Sequence, residues 1–373
     1  MKYLTIQEYN QQEVLERAKL SNRFIRAFVP NTFQKGGFPD KVYQEQELVR
    51  YIDSQHSECF EIYYKELCKG LTEEEVKIVL EITSVIYKTT QELYESTFVV
   101  KAPLLAALFC KRVVDVLTDK NKNVHIFELG AGSGMLGAML LYSGYRYSCT
   151  DVTQAFYLVQ NRVLNSFAVI NELCMGEMVE NGNYHIPYWK MWTMRNNEDV
   201  VDIVTCNHSL LEMSSSALKF YLRFCYDRLK NSNYGFFFFQ GTGWNVEGSV
   251  FTLFEKFNQY GYSLVYYDIN CELAIFATKG KDISEYVVEI LRDETKRIVQ
   301  KKYVSAHGIV EHFYSDDGRV IYNNDLGEYI YQKLKKIENL NKVSMEAFQS
   351  QYESKFINVD GPDEIFSKYI ENM

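Results

Sequence analysis

Residues 124–137 read Val-His-Ile-Phe-Glu-Leu-Gly-Ala-Gly-Ser-Gly-Met-Leu-Gly. An apolar run is followed by one carboxylate and then by four glycines in eight positions. This is the pattern of a buried strand that enters a tight loop and then a helix. Glycine lacks Cβ, so such a loop takes positive φ and lets its backbone approach a ligand closely. Glu128, two residues before Gly130, separates the loop from an ordinary phosphate-binding turn. A carboxylate there repels a pyrophosphate but suits a ligand that brings a positive charge.

The surrounding chain has 373 residues, a length that predicts two domains or one core with extensions. Apolar residues make up 47%, enough for a large core. A formal charge of −9, with no basic stripe, argues against a nucleic acid partner, because phosphate contacts need basic clusters. Tyrosine and phenylalanine are abundant, 29 and 24, and read mainly as core and interface material. The eight cysteines form no Cys-x-x-Cys pair, and several sit in apolar runs, as reduced thiols of a cytoplasmic protein would. The start turns polar too soon for a signal peptide, and no apolar stretch approaches the roughly 20 residues of a membrane span.

Three regions are expected. Residues 1–100 read as helical, a region for the substrate pocket or for oligomerisation, by analogy as a homodimer. Thr72 to Glu75 has the form of a capping box, followed by Val76, Ile78, Val79, Ile82, Val85 and Ile86 mainly on one helix face. Residues 101–280 alternate short strands and helices, the signature of an α/β sheet. Strands are expected at 124–129, 146–151, about 171–175, 200–206, 234–240, 262–269 and 272–278, the last two as a hairpin. Residues 281–373 read as a mainly helical extension, with a small hairpin at Tyr314 to Val320.

Asp151 follows Gly130 by 21 residues at a strand end, the offset of an acid that accepts hydrogen bonds from the ribose hydroxyls of an adenosine ligand. The same acid would serve NAD, so it is Glu128 that tilts the reading from a dinucleotide toward S-adenosylmethionine as cofactor. The binding set is then Glu128, Gly130, Ala131, Gly132, Gly134, Asp151, Val152 and Asn207. Asn207 and His208 emerge where the apolar run Val201 to Cys206 ends, and ligands of open α/β sheets sit beyond such ends. A histidine there suits a general base that takes the proton from an alcohol before methyl transfer. Glu212, four residues on, would orient His208 across one helical turn. Gly235 is followed by four phenylalanines that must be buried on both sheet faces, and then by Gln240 and Trp244, expected at the rim as acceptor contacts. No metal is assigned; Asp202 and Glu212 are only loosely placed for one, and His185, His307 and His312 lack ligand-like spacing.

The loop Glu128-x-Gly130-x-Gly132-x-Gly134 resembles the first motif of class I S-adenosylmethionine-dependent methyltransferases. That resemblance implies a Rossmann-like seven-stranded sheet with a terminal β-hairpin over about 121–280. Asn207-His208-x-x-x-Glu212-Met213, with Ala217-Leu218-Lys219-Phe220-Tyr221-Leu222 behind it, is similar to the bacterial sugar O-methyltransferase family. It implies methyl transfer to a hydroxyl of a sugar or related polyol. Phenolic or natural-product acceptors, and a non-catalytic protein that keeps the fold, stay open. Residues 177–197 match no pattern, and which residues contact the adenine is undetermined by the sequence.

Overall fold

The computed structural model describes residues 3–30, 41–48, 72–94, 101–178, 181–197, 199–241, 250–268, 272–292 and 370. Its strands are β1 (His125–Leu129), β2 (Arg146–Asp151), β3 (Asn171–Glu172), β4 (Tyr184–Pro187), β5 (Ile203–Thr205), β6 (Phe236–Gln240), β7 (Tyr262–Asp268) and β8 (Leu273–Thr278). They form one sheet in the order β3-β4-β2-β1-β5-β6-β8-β7. Pairing is parallel from β3 through β6, while β8 runs antiparallel to both β6 and β7. This is the expected Rossmann-like class I methyltransferase sheet with its terminal hairpin, and it has eight strands rather than seven.

The additional strand is β4, which inserts between β2 and β3. The strand expected at 171–175 shrinks to the two residues of β3 at the sheet edge. β4 could not be read from the sequence, because Tyr-His-Ile-Pro is too short and too polar to show strand alternation. Neighbours supply what local propensity lacks: β4 pairs with β2 from Ser148↔Tyr184 to Asp151↔Pro187, and all four of its residues are buried.

The helices that flank the strands include α1 (Ile6–Arg17), α2 (Asn22–Ala27), α3 (Glu73–Tyr94), α4 (Lys101–Thr118), α5 (Met135–Tyr142), α6 (Gln154–Asn165), α7 (Tyr188–Met194), α8 (Ser215–Leu229) and α9 (Val250–Gln259). The capping box of α3 is formed as expected. Glu75 N–H donates to Thr72 Oγ1 at 3.1 Å, and Thr72 N–H donates to Glu75 Oε2 at 2.8 Å. Its apolar face, Val76, Ile78, Val79, Ile82 and Ile86, is buried. Phe236 to Phe239 are buried on both faces of β6, with Phe237 edge-on to Phe257 at 4.9 Å. No helix among the described residues is long and apolar enough to cross a membrane. The hairpin expected at Tyr314 to Val320 lies outside the described residues.

Packing of α5 on the sheet explains the last glycine of the opening motif. A Cβ on Gly137 would stand 2.5 Å from Cε1 of Tyr147 and 2.7 Å from Cδ2 of Leu164, inside van der Waals contact. Both neighbours are held in a close-packed core, so neither can yield freely. Gly137→Ala is expected to cost about 1–3 kcal/mol by overpacking, read as a lower midpoint in urea denaturation with an unchanged slope.

Candidate functional site

The site is built where β1, β2 and β5 end. After β1 the chain turns through Gly130 at φ 62° and Gly132 at φ 54°. Gly130 N–H donates to Thr150 O at 2.9 Å, tying the loop to the last residues of β2. A Cβ on Gly132 would meet nothing within 4 Å, so this backbone faces open space. The Asp151 carboxylate beside it is shaped by three donors. Its Oδ1 accepts Thr153 N–H at 2.9 Å, and its Oδ2 accepts Gly132 N–H at 3.0 Å and Gln160 Nε2 at 3.1 Å. Burial pushes the Asp151 carboxyl up to about 6, against those hydrogen bonds and the nearby His185, which favour the ionised form.

The end of β5 supplies the second side. Asn207 Oδ1 accepts Gln240 N–H at 3.2 Å, which fixes the amide between β5 and β6. His208 adopts φ 55°, a left-handed conformation that non-glycine residues seldom hold. Its N–H donates to Gln240 O at 3.0 Å and Gly241 O at 3.2 Å. Its ring lies on Gly241, where a Cβ would come within 2.2 Å of Nδ1. Gly241, itself at φ 67°, is therefore the one residue type that leaves room for this imidazole. The backbone continues as a short 3₁₀ turn, Leu210–Glu212. The helical i,i+4 geometry expected for His208 and Glu212 is thus replaced by a left-handed residue and a 3₁₀ turn, and the two side chains meet as lining of one cavity.

That cavity, about 190 Å³, is lined by Gly130, Gly132, Asp151, Val152, Asn207, His208 and Glu212 on the sheet side. Its other wall is apolar and comes from Phe28, Val29, Pro30, Phe156, Met213 and Tyr221. Residues 28–30 follow α2, and the chain is attached at its last residue, Ala27, by Ser214. The Ser214 hydroxyl accepts Ala217 N–H, capping α8, and donates to Ala27 O at 2.8 Å. Phe28 packs edge-on against Tyr221 at 5.2 Å and Phe220 at 5.4 Å.

Glu128, expected to face the ligand, does not line the cavity. It is buried one layer beneath, where Tyr147 donates to its Oε2 at 2.5 Å. Burial pushes its carboxyl up to about 8, while hydrogen bonds from Tyr147 and Asn207 pull the other way. Glu128 therefore reaches the cavity through Asn207. Ala131 and Gly134 also stand outside the lining; Gly134 instead packs on Gln160. Gln240 contributes its backbone to His208 and Asn207 rather than lining the cavity, and Trp244 lies outside the described residues. Asp202 is remote from Glu212 in role: it accepts His125 N–H at 2.8 Å and the Ser232 hydroxyl at 2.6 Å. Among the described residues no group of three or more His, Cys, Asp or Glu could hold a metal ion.

Reading the sequence missed Ser209, Phe28 to Pro30 and Tyr221 as cavity residues, and Gln160 and His185 as the support of Asp151. The apolar wall carries no polar signal, and a Gln inside a helix gives none. His185 did stand in the sequence, but without the spacing of a ligand or a base.

No family model matches the chain, and no curated protein matches it. Among solved structures it is similar to a TehB-like SAM-dependent methyltransferase from Corynebacterium glutamicum, at 14% identity over 45% of this chain and 86% of that one, with a TM-score of 0.33. It is also similar to magnesium protoporphyrin IX methyltransferase from Synechocystis with bound SAM, at 10% identity over 56% of this chain and 99% of that one, with a TM-score of 0.34.

Glu128 makes stability depend on pH. Its carboxyl is raised from 4.5 to about 8 in the folded chain. Below the lower value both states carry the proton and its burial is tolerated; as pH rises toward the higher value, stability is lost because the unfolded chain releases the proton first. Glu128→Gln removes that loss. In thermal melts the variant should gain several degrees over the parent at about pH 9 and close to nothing at about pH 5.

Proposed function

We propose that the chain is an S-adenosylmethionine-dependent methyltransferase that acts on a hydroxyl of a sugar or related polyol. The observation that carries this reading is His208, locked in a left-handed conformation on Gly241, in the same cavity as Asp151 and the open backbone of Gly132. The residues present fit the cofactor. Asp151 offers a buried carboxylate to ribose hydroxyls, Gly132 leaves room that a side chain would fill, and Asn207 connects the cavity to the Glu128 carboxyl. When bound, the cofactor supplies an electrophilic methyl group on a cationic sulfonium.

The chain's own part is positioning and proton transfer. His208 accepts the proton of the acceptor hydroxyl as its oxygen becomes the nucleophile, a step worth typically 10²–10⁴ in rate. Glu212, on the same cavity wall, is suited to hold the imidazolium that results. The backbone bonds of His208 to the end of β6 prevent the ring from drifting. An acceptor of phenolic or natural-product type is favoured by one feature, the apolar wall of Phe28, Val29, Pro30, Phe156, Met213 and Tyr221.

Calorimetric titration with S-adenosylhomocysteine should show binding; none at millimolar ligand ends this reading. His208→Asn, which still tolerates left-handed backbone, should leave that binding little changed while turnover falls by about 10²–10⁴. Unchanged turnover would remove His208 from its role. A panel of nucleotide sugars, glycans and phenols assayed for methyl transfer should show which acceptor class is used. Tight cofactor binding with no turnover across the panel would point to a non-catalytic protein.

A further inference from the structure

A line of polar side chains crosses the sheet behind Asp151. In register, Glu128 pairs with Cys149, Cys149 with His185, and His185 with Glu172, so one row spans β1, β2, β4 and β3. Gln160 of α6 lies over this row, completely buried. Its Nε2 donates to Gly132 O at 2.6 Å and to Asp151 Oδ2 at 3.1 Å. Both partners are acceptors only, so the amide cannot be turned round, and Oε1 must be the atom 3.1 Å from His185 Nε2. Oε1 has no hydrogen to give; His185 Nε2 therefore carries one.

The other ring nitrogen is equally determined. His185 Nδ1 lies 2.6 Å from Glu172 Oε2. Glu172 already accepts from the Tyr157 hydroxyl, from Asn161 Nδ2 at 2.8 Å and from Cys174 N–H at 3.1 Å, the surroundings of a carboxylate. Burial pushes the Glu172 carboxyl up, but the charge and hydrogen bond of His185, with those of Tyr157 and Cys174, outweigh it and hold the carboxyl below its ordinary range. Nδ1 thus faces a carboxylate as Nε2 faces an amide oxygen, and the ring is held from both sides. The Tyr157 ring lies flat against it, 3.7 Å between centroids at 14°, which fixes the plane of the imidazole.

His125 on β1 shows the contrast. It is just as enclosed, yet its ring meets the Val200 carbonyl at 3.3 Å and the Ser148 hydroxyl at 2.7 Å, and burial brings it down to about 3, so it is neutral. The difference between the two histidines lies in their partners: a carboxylate and an amide oxygen for one, a carbonyl and a hydroxyl for the other.

We infer that His185, held between Glu172 and Gln160, is a positioning residue for the ribose of the cofactor, acting through Gln160 on the Asp151 carboxylate and the Gly132 carbonyl. The inference rests on the proposed cofactor reading. A missing ring at 185 leaves Gln160 Oε1 with only the long contact from the Cys149 thiol, at 3.9 Å. The amide is then free to swing from Asp151 and Gly132, and the carboxylate loses the alignment that two ribose hydroxyls require.

The test compares two ligands in calorimetry on the full chain: S-adenosylhomocysteine and its 2′,3′-dideoxyribose analogue, which keeps every group except the two hydroxyls. Three variants are measured: His185→Phe, which keeps the stack on Tyr157 but donates nothing; Gln160→Met, of similar length without the amide; and His185→Gln, which can still donate to Gln160. The first two should each weaken S-adenosylhomocysteine by about tenfold or more while the dideoxy analogue stays near its parent value, and the third should recover part of the loss. A purely structural role would lower melting temperature and weaken both ligands alike, which would overturn the inference. So would unchanged affinity in His185→Phe and Gln160→Met. If His185→Phe does not fold, Gln160→Met decides the same comparison. Failure of the parent protein to bind S-adenosylhomocysteine would overturn the cofactor reading and this inference with it, whereas binding by the parent with no ribose-dependent loss in the variants overturns this inference alone.

Discussion

The hydrogen bond from Gly132 N–H to the Asp151 carboxylate, 3.0 Å long, couples the ends of β1 and β2 and gives both their direction. Gly132 can donate it only because its φ is positive, and Asp151 can accept it only because Thr153 N–H and Gln160 fix the carboxylate from two other sides. The loop and the acid therefore form one rigid unit rather than two flexible parts. Rigidity here has a functional use, since a ligand that finds donors and acceptors already aligned gives up less binding energy to order them. The cavity opens beside this unit, with the end of β5 forming its second side.

How far the sequence reveals this depends on how local each signal is. The β1 loop declares itself because its glycines, its apolar run and its acid lie within 14 residues. Asp151 follows from a fixed offset, and the four phenylalanines of β6 can only be a strand covered on both faces. His208 is legible from its place at a strand end, but its left-handed backbone is not, because that conformation depends on Gly241, just beyond the end of another strand. Glu128 was read as facing the ligand, yet the register of β1 turns it under Asn207, where Tyr147 holds it. A single carboxylate carries no mark of which side of a layer it will occupy.

The part of the site that stayed hidden is the part made of long-range pairs. β4 has four residues, too few for periodicity, and it exists because β2 offers an edge to pair with. His185 and Gln160 are 25 positions apart, and what joins them is a hydrogen bond inside the sheet–helix layer. Residues 28–30 reach the cavity from a region nearly a hundred positions before the glycine loop. Such contacts are decided by packing and by the need to satisfy buried polar atoms, neither of which leaves a pattern along the chain.

The attachment of that distant wall has an asymmetry. Ser214 holds it by donating to the main-chain carbonyl of Ala27, an acceptor that every amino acid supplies. The donor is bound to one residue type, whereas the acceptor is indifferent to it. Side chains after α2 can therefore be exchanged with the segment still anchored, while the sheet edge opposite is constrained glycine by glycine. Within one cavity, the face built on the glycine loop is fixed by geometry and the face after α2 is free to vary, so that the cavity can change its lining on one side without rebuilding the fold.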